Sequence, residues 1–121
     1  MYKKVLIVDD DTKNIFALSA VLRSRGYECV TATSADEAFE ALQTAASIGI
    51  VLLDMMMPEM DGYETMKVLR ENEHATLPVI AVTAQAMTGD REKCLAAGAN
   101  DYLSKPIDVD RLFDLLNKYL K

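Results

Sequence analysis

The chain reads as a three-layer α/β sandwich built around a parallel sheet, and three observations predict this. Short apolar runs recur five times, helical periodicity fills the intervals between them, and capping and turn residues fall at the boundaries. The runs are Val5 to Val8, Glu28 to Ala32 (the weakest), Ile50 to Leu53, Val79 to Val82, and Tyr102 to Leu103. Their lengths suit strands buried on both faces. Strict alternation of strand and helix implies parallel pairing, because parallel neighbours need a long crossover, and right-handed crossovers place helices on both faces of the sheet.

After the first run, Ile15, Phe16, Leu18, Val21 and Leu22 form the apolar stripe of a helix that Gly26 should end. After the second, Ser34 is placed to cap a helix, with Glu37 three residues later completing a capping box. Asp61 and Glu64 repeat that pattern after the third run, and Gly98 marks the end of the helix after the fourth. The last helix is the clearest: Val109, Leu112, Phe113, Leu116 and Leu120 share a stripe, while Asp110, Asp114 and Lys118 face away. These five units occupy Lys3 to Leu120 with no linker or low-complexity stretch, so a single domain over residues 1–121 is expected.

The composition narrows the function. Of the 121 residues half are hydrophobic and 26% charged, and 13 basic against 19 acidic side chains give a net charge of −6. A domain of this size buries enough surface to need no disulfide or structural metal. The acidic balance leaves no basic stripe for phosphates, so neither nucleic-acid contact nor membrane-surface binding is expected. Cys29 and Cys94 are far apart, with no C-x-x-C pair and no His nearby, and read as two small buried apolar residues. The N-terminal apolar run is too short for a signal peptide, and no stretch approaches a membrane span, so we read a cytoplasmic protein without membrane insertion.

In open α/β sheets ligands bind outside the carboxyl ends of the strands, which makes the residues ending each run informative. The first run ends in Asp9, Asp10 and Asp11, the third in Asp54, the fourth in Thr83, and the fifth in Ser104 and Lys105. Asp11 reads as a helix cap. Asp54 closes a buried strand, where a carboxylate needs a partner. If Asp9, Asp10 and Asp54 converge, each like-charge pair about 4 Å apart costs about 4 kcal/mol at an effective dielectric near 20. Such a group calls for cations: Lys105 supplies one charge, and an all-oxygen ligand set without His or Cys favours Mg²⁺. Since Mg²⁺ typically combines one or two carboxylates with phosphate oxygens, the site is shaped for phosphoryl chemistry. Thr83 reads either as a β-branched strand residue or as a hydroxyl placed to bond a phosphoryl oxygen. Lys105 precedes Pro106 in a constrained turn, the setting in which a cis peptide bond is tolerated.

With these residues in place the sequence resembles the receiver domain of two-component response regulators along its whole length. The motifs are V-D-D at Val8 to Asp10, L-L-D-M-M-M-P-E-M-D-G from Leu52 to Gly62, V-T-A at Val82 to Ala84, and D-Y-L-S-K-P from Asp101 to Pro106. The resemblance implies a flavodoxin-like (βα)5 sheet of order 2-1-3-4-5. It implies that Asp54 accepts a phosphoryl group from a phosphohistidine on a histidine kinase or histidine phosphotransfer protein. Asp9, Asp10, Asp54 and the Met56 carbonyl would hold Mg²⁺, with Mn²⁺ able to substitute. Lys105, Thr83 and the Ala84 N–H would bind the phosphoryl oxygens.

Phosphorylation would then draw Thr83 inward and turn Tyr102, which otherwise reads as an edge aromatic. The face built from helix four, strand five and helix five would be remodelled, controlling a downstream effector or the chain's own kinase module. The chain would be a signalling receiver and not an enzyme in the ordinary sense, while taking part in its own phosphorylation and autodephosphorylation.

Met56 and Gln85 occupy the positions that tune dephosphorylation in this family, and an apolar Met56 cannot orient the attacking water, so the resemblance implies a long-lived phosphoryl group. His74 lies in a polar stretch and reads as a solvated loop residue. An aspartate-nucleophile phosphatase of the dehalogenase-like kind would want an acid where Met56 stands, and a flavodoxin-type carrier would want phosphate donors where three aspartates stand. A pseudo-receiver is disfavoured by the presence of Asp10, Asp54, Thr83 and Lys105. A standalone regulator and a domain of a larger regulator or hybrid kinase both fit; the stretch Thr88 to Cys94, and Asn14 followed by an apolar residue, resemble hybrid-kinase receivers.

Overall fold

A computed structural model describes residues 4–44, 47–55, 62–71, 77–83 and 90–120. Among them, strands and helices alternate: β1 (Lys4–Val8), α1 (Thr12–Ser24), β2 (Cys29–Ala32), α2 (Ala35–Thr44), β3 (Ile48–Asp54), α3 (Gly62–Glu71), β4 (Val79–Thr83), α4 (Asp90–Ala97), β5 (Asp101–Ser104) and α5 (Val109–Tyr119). All four strand pairings are parallel and the order is β2-β1-β3-β4-β5. The predicted sandwich and strand order are thus observed. Met56, Asp61, His74, Ala84, Gln85 and Thr88 lie outside the described residues.

Alternation along each strand divides the core in two. Val5, Ile7, Ile50, Leu52, Ile80, Val82 and Leu103 face α1 and α5, where they meet Ile15, Leu22, Leu112 and Leu116. Leu6, Val8, Val51, Leu53, Val79 and Ala81 face α2, α3 and α4, where they meet Ala38, Met66, Leu69 and Cys94. With both faces covered, the central strands β1, β3 and β4 read as unbroken apolar runs.

Three details depart from the sequence reading. Phe16 is 78% exposed, because the buried stripe of α1 runs through Ile15, Ser19 and Leu22, and the residue after Ile15 is turned about 100° away. Val109, placed on the α5 stripe, is also exposed at the first turn. Cys29 is only partly buried; burial raises its thiol above the usual range and nearby Arg23 opposes the shift, while Cys94 is fully buried.

Caps fall where the sequence places them. Gly26 and Gly98 both have positive φ at helix ends, and Ser34 Oγ accepts the Glu37 N–H at 3.2 Å. The capping box closes one residue early, since the Glu37 carboxylate accepts from Thr33 N–H and not from Ser34 N–H. Asp108 caps α5, accepting from the N–H groups of Asp110 and Arg111, a role the sequence reading passed over.

The edge of the sheet carrying the strand N-termini is held by Arg70 and Asn100. Arg70 donates from Nε and Nη2 to the Gly98 carbonyl, from Nη1 to the Leu77 carbonyl, and from Nη2 to Asn100 Oδ1. Asn100 Oδ1 also accepts the Val79 N–H, and the Asn100 carbonyl accepts the Tyr119 hydroxyl at 2.9 Å. At the opposite edge Gly62 opens α3 directly against Met55. A β-carbon there would collide with the Met55 backbone, so only glycine lets α3 start beside the residue that follows Asp54.

Candidate functional site

Strand register brings the polar residues together. Val8 pairs with Leu53 on adjacent parallel strands, so Asp9 and Asp54 leave the sheet at the same level. Asp54 pairs with Val82, which puts Thr83 one step further along β4, and Thr83 pairs with Ser104, which puts Lys105 one step beyond β5. The Lys105 N–H donates to the Thr83 carbonyl at 2.8 Å and fixes the chain as it leaves the sheet. From β5 the Lys105 side chain reaches across β4, two strand spacings of about 4.8 Å. Its Nζ lies 3.6 Å from Asp9 Oδ2 and 3.7 Å from Asp54 Oδ2. The Lys105–Pro106 peptide bond is cis.

The acidic triplet divides its work. Asp9 is only 3% exposed; its Oδ1 accepts the Asp11 N–H at 2.9 Å, leaving Oδ2 to face Lys105. Asp10 is exposed. Asp11 caps α1, accepting the Lys13 N–H at 2.9 Å, the role expected of it. Asp54 is 4% exposed and Thr83 is likewise buried. Tyr102 is half-buried against the α2, α3 and α4 side of the core. Its N–H donates to Asp101 Oδ1, and its carbonyl accepts from Arg111 Nη2 at 3.3 Å. Met56 and Ala84, the other expected site positions, lie outside the described residues.

One carboxylate oxygen each from Asp9, Asp10 and Asp54 lies within 4.8 Å of the other two. That is near the span of two oxygens on opposite sides of one Mg²⁺, about 4 Å. Three carboxylates beside one ammonium leave a surplus of negative charge in a largely buried pocket, which a divalent cation would offset. The donor set is all oxygen, and Asp10 stands open to water, as suits an ion that keeps part of its hydration shell.

A feature absent from the sequence reading adjoins this pocket. A groove of about 510 Å³ runs from Asp9 and Lys105 between α1 and the segment joining β5 to α5, with Leu18, Val21, Pro106 and Ile107 among its walls. Leu18 and Val21 belong to the α1 apolar stripe, but the separation of α1 from the β5–α5 segment is a tertiary matter that spacing does not encode.

The chain is 37% identical over 121 residues to the polar-differentiation response regulator DivK of Brucella ovis, covering 99% of this chain and 98% of that protein. It is 35% identical over 122 residues to hybrid signal transduction histidine kinase I of Dictyostelium discoideum, covering 95% of this chain but spanning only 7% of the kinase's length. Among solved structures, the receiver domain of sensor histidine kinase PA1611 from Pseudomonas aeruginosa PAO1, with a magnesium ion coordinated in its active-site cleft, superposes with a TM-score of 0.87. The two are 34% identical, covering 99% of this chain and 98% of that one. No helix among the described residues is long and apolar enough to cross a membrane. Residues 5–117 match the response regulator receiver domain, and the chain belongs to that family of signalling modules.

Proposed function

We propose that the chain is a phosphoacceptor receiver in which Asp54 takes a phosphoryl group from a phosphohistidine of a histidine kinase or histidine phosphotransfer protein. The observation that carries this reading is the placement of the Lys105 ammonium 3.7 Å from Asp54 Oδ2, within a group of three carboxylates. A buried aspartate facing a cation and two further acids is arranged for a reaction in which negative charge moves through the site. In the transfer, an Asp54 oxygen forms a bond to phosphorus while the phosphorus–nitrogen bond breaks, and the imidazole leaves with the electron pair and takes up a proton. Lys105 offsets charge on the phosphoryl oxygens, Thr83 donates its hydroxyl to one of them, and the Ala84 N–H serves another.

Asp9, Asp10 and Asp54, with the Met56 carbonyl, would hold Mg²⁺, or Mn²⁺ in its place. The ion supplies charge neutralisation and orientation for in-line transfer. The magnesium in the PA1611 receiver supports this assignment by analogy. Phosphorylation shifts a two-state equilibrium in which Thr83 moves inward and Tyr102 turns, remodelling the α4, β5 and α5 surface that meets a downstream effector or a linked kinase module. The domain spans residues 1–121 and works in the cytoplasm without contacting nucleic acid or inserting into membrane.

The test is intact mass after incubation with acetyl phosphate and Mg²⁺, for wild type beside Asp54→Asn, with a metal-free control. One phosphoryl adduct that requires Mg²⁺ and is lost in Asp54→Asn is expected. A folded wild-type protein that takes no adduct overturns the reading.

A further inference from the structure

Helix α3 holds α4 at two places, and the two holds differ in kind. At the C-terminal end of α4 the Arg70 guanidinium donates twice to the Gly98 carbonyl, at 3.0 and 2.7 Å, and also to the Leu77 carbonyl and Asn100 Oδ1. These are charge-assisted bonds that tie the helix end to the starts of β4 and β5. In the middle of α4 the hold is Tyr63, the second residue of α3. The Lys93 Nζ stands 4.8 Å from the centre of its ring, and its hydroxyl lies 3.7 Å from Cys94 Sγ. A sulfur contact and a cation–π contact from an exposed lysine are of the weaker kind. Apolar packing under this part of α4 is sparse: of residues 92–97 only Cys94 is fully buried, whereas α5 buries Leu112, Phe113, Leu115 and Leu116.

Tyr63 is also tied to the phosphoacceptor. The Gly62 N–H donates to the Met55 carbonyl at 3.2 Å, and a β-carbon on Gly62 would stand 3.0 Å from the Asp54 carbonyl oxygen, so the start of α3 moves with the end of β3. Resting on the phosphoacceptor reading, we infer that the contact of Tyr63 with Lys93 and Cys94 is a catch that holds α4 in its unphosphorylated position, and that α4 swings about the Arg70–Gly98 bonds when phosphorylation of Asp54 displaces the start of α3. This route, through Met55, Gly62 and Tyr63, is separate from Thr83 and Tyr102. A switch contact has to bias the resting state and still yield to one phosphoryl group; the Tyr63 contact is of that size, and the Arg70 set is the part that stays. Linkage fixes the sign: whatever loosens the catch favours the phosphorylated arrangement and tightens binding of anything that selects it.

The experiment uses Cys94 as its own reporter. With Cys29→Ser as background it is the sole thiol, and being buried it reacts with a maleimide only when the middle of α4 lifts. Phosphorylation by acetyl phosphate and Mg²⁺, with the adduct confirmed by intact mass, should speed labelling severalfold. Lys93→Met and Tyr63→Phe should each speed labelling of the unphosphorylated protein by about threefold, with urea midpoints close to wild type. Both should bind beryllium trifluoride with Mg²⁺, a noncovalent mimic of the phosphoryl group, more tightly than the background protein by a similar factor; a contact that only supports the fold would leave that affinity unchanged or weaken it. Hydrogen exchange of the Asn100 N–H, bonded to the Val79 carbonyl at 2.8 Å beside the pivot, should not change on phosphorylation. An adduct that leaves Cys94 labelling unchanged, or variants that bind the mimic no more tightly, overturns the catch and leaves Asp54 as phosphoacceptor intact. Faster exchange at Asn100 overturns the pivot. A folded protein that takes neither adduct nor mimic overturns both readings.

Discussion

The Glu37 carboxylate turns back on Thr33 and takes two hydrogen bonds through one oxygen, from the backbone N–H at 2.8 Å and from the hydroxyl at 2.9 Å. The backbone bond is the larger reason, and the hydroxyl bond the second, that the Glu37 carboxyl is held below its ordinary range, with burial opposing only weakly. A carboxyl whose folded value is depressed contributes stability that is fully present above its unfolded value, about pH 4.3, and is lost as the pH falls through the folded value. Glu37→Gln should therefore unfold at lower urea than wild type at pH 7, and the two midpoints should converge toward pH 3. Parallel midpoints across that interval would show that the charge on Glu37 adds nothing to the cap.

Gly62 allows α3 to begin against Met55, next to Asp54 in the chain. Gly62→Ala forces a methyl group into the Met55 backbone, and the expected cost is about 3 kcal/mol, from a shift of α3 or of the β3 end. Urea unfolding reads the loss. The displacement should also slow Asp54 phosphorylation by acetyl phosphate more than the stability loss alone explains at temperatures where the variant remains folded.

Lys105 is the cation that the structure sets against Asp9 and Asp54. Lys105→Met should slow phosphorylation of Asp54 by about a hundredfold or more, the scale seen when one charge-stabilising donor is removed. Because the ammonium and a metal ion share the same carboxylates, the variant should bind Mg²⁺ more tightly than wild type in calorimetric titration. A weaker Mg²⁺ affinity would mean that Lys105 organises the carboxylates instead of competing for them.

Ser19 lies on the buried stripe of α1 with an Oγ that has no hydrogen-bond partner among the described residues. Ser19→Ala removes a desolvated hydroxyl and improves helix propensity. It should stabilise the fold by about 1 kcal/mol, a rise of about 4 °C in Tm. Destabilisation would reveal a bond or water that satisfies the hydroxyl.

The sequence made legible what repeats or what punctuates. Runs of Val, Ile and Leu locate the central strands β1, β3 and β4 to within two residues, because strands covered on both faces leave no room for alternation, while the edge strands β2 and β5 carry weaker runs; Gly26, Gly98 and Ser34 mark helix ends through backbone preferences that are local. Asp9, Asp54, Thr83 and Lys105 were visible as a group because strand ends in a parallel sheet converge whatever lies between them. Phe16 departs from the sequence expectation because hydrophobic type does not by itself fix burial, and Ser19 holds the position that faces the core. Arg70 and Asn100 gave no signal, since their bonds join segments that only the tertiary fold brings near. The groove beside Lys105 depends on how far α1 stands from the β5–α5 segment, a distance that no local pattern sets.

Asn100 lies between the two helical layers: its side chain accepts from Arg70 of α3 and its carbonyl from Tyr119 of α5. The molecule is bound like a book, with its spine along the edge that carries Arg70 and Asn100 and its pages meeting at the carboxylates. A disturbance at Thr83 and Lys105 falls at the opposite edge, while the spine keeps both covers in register.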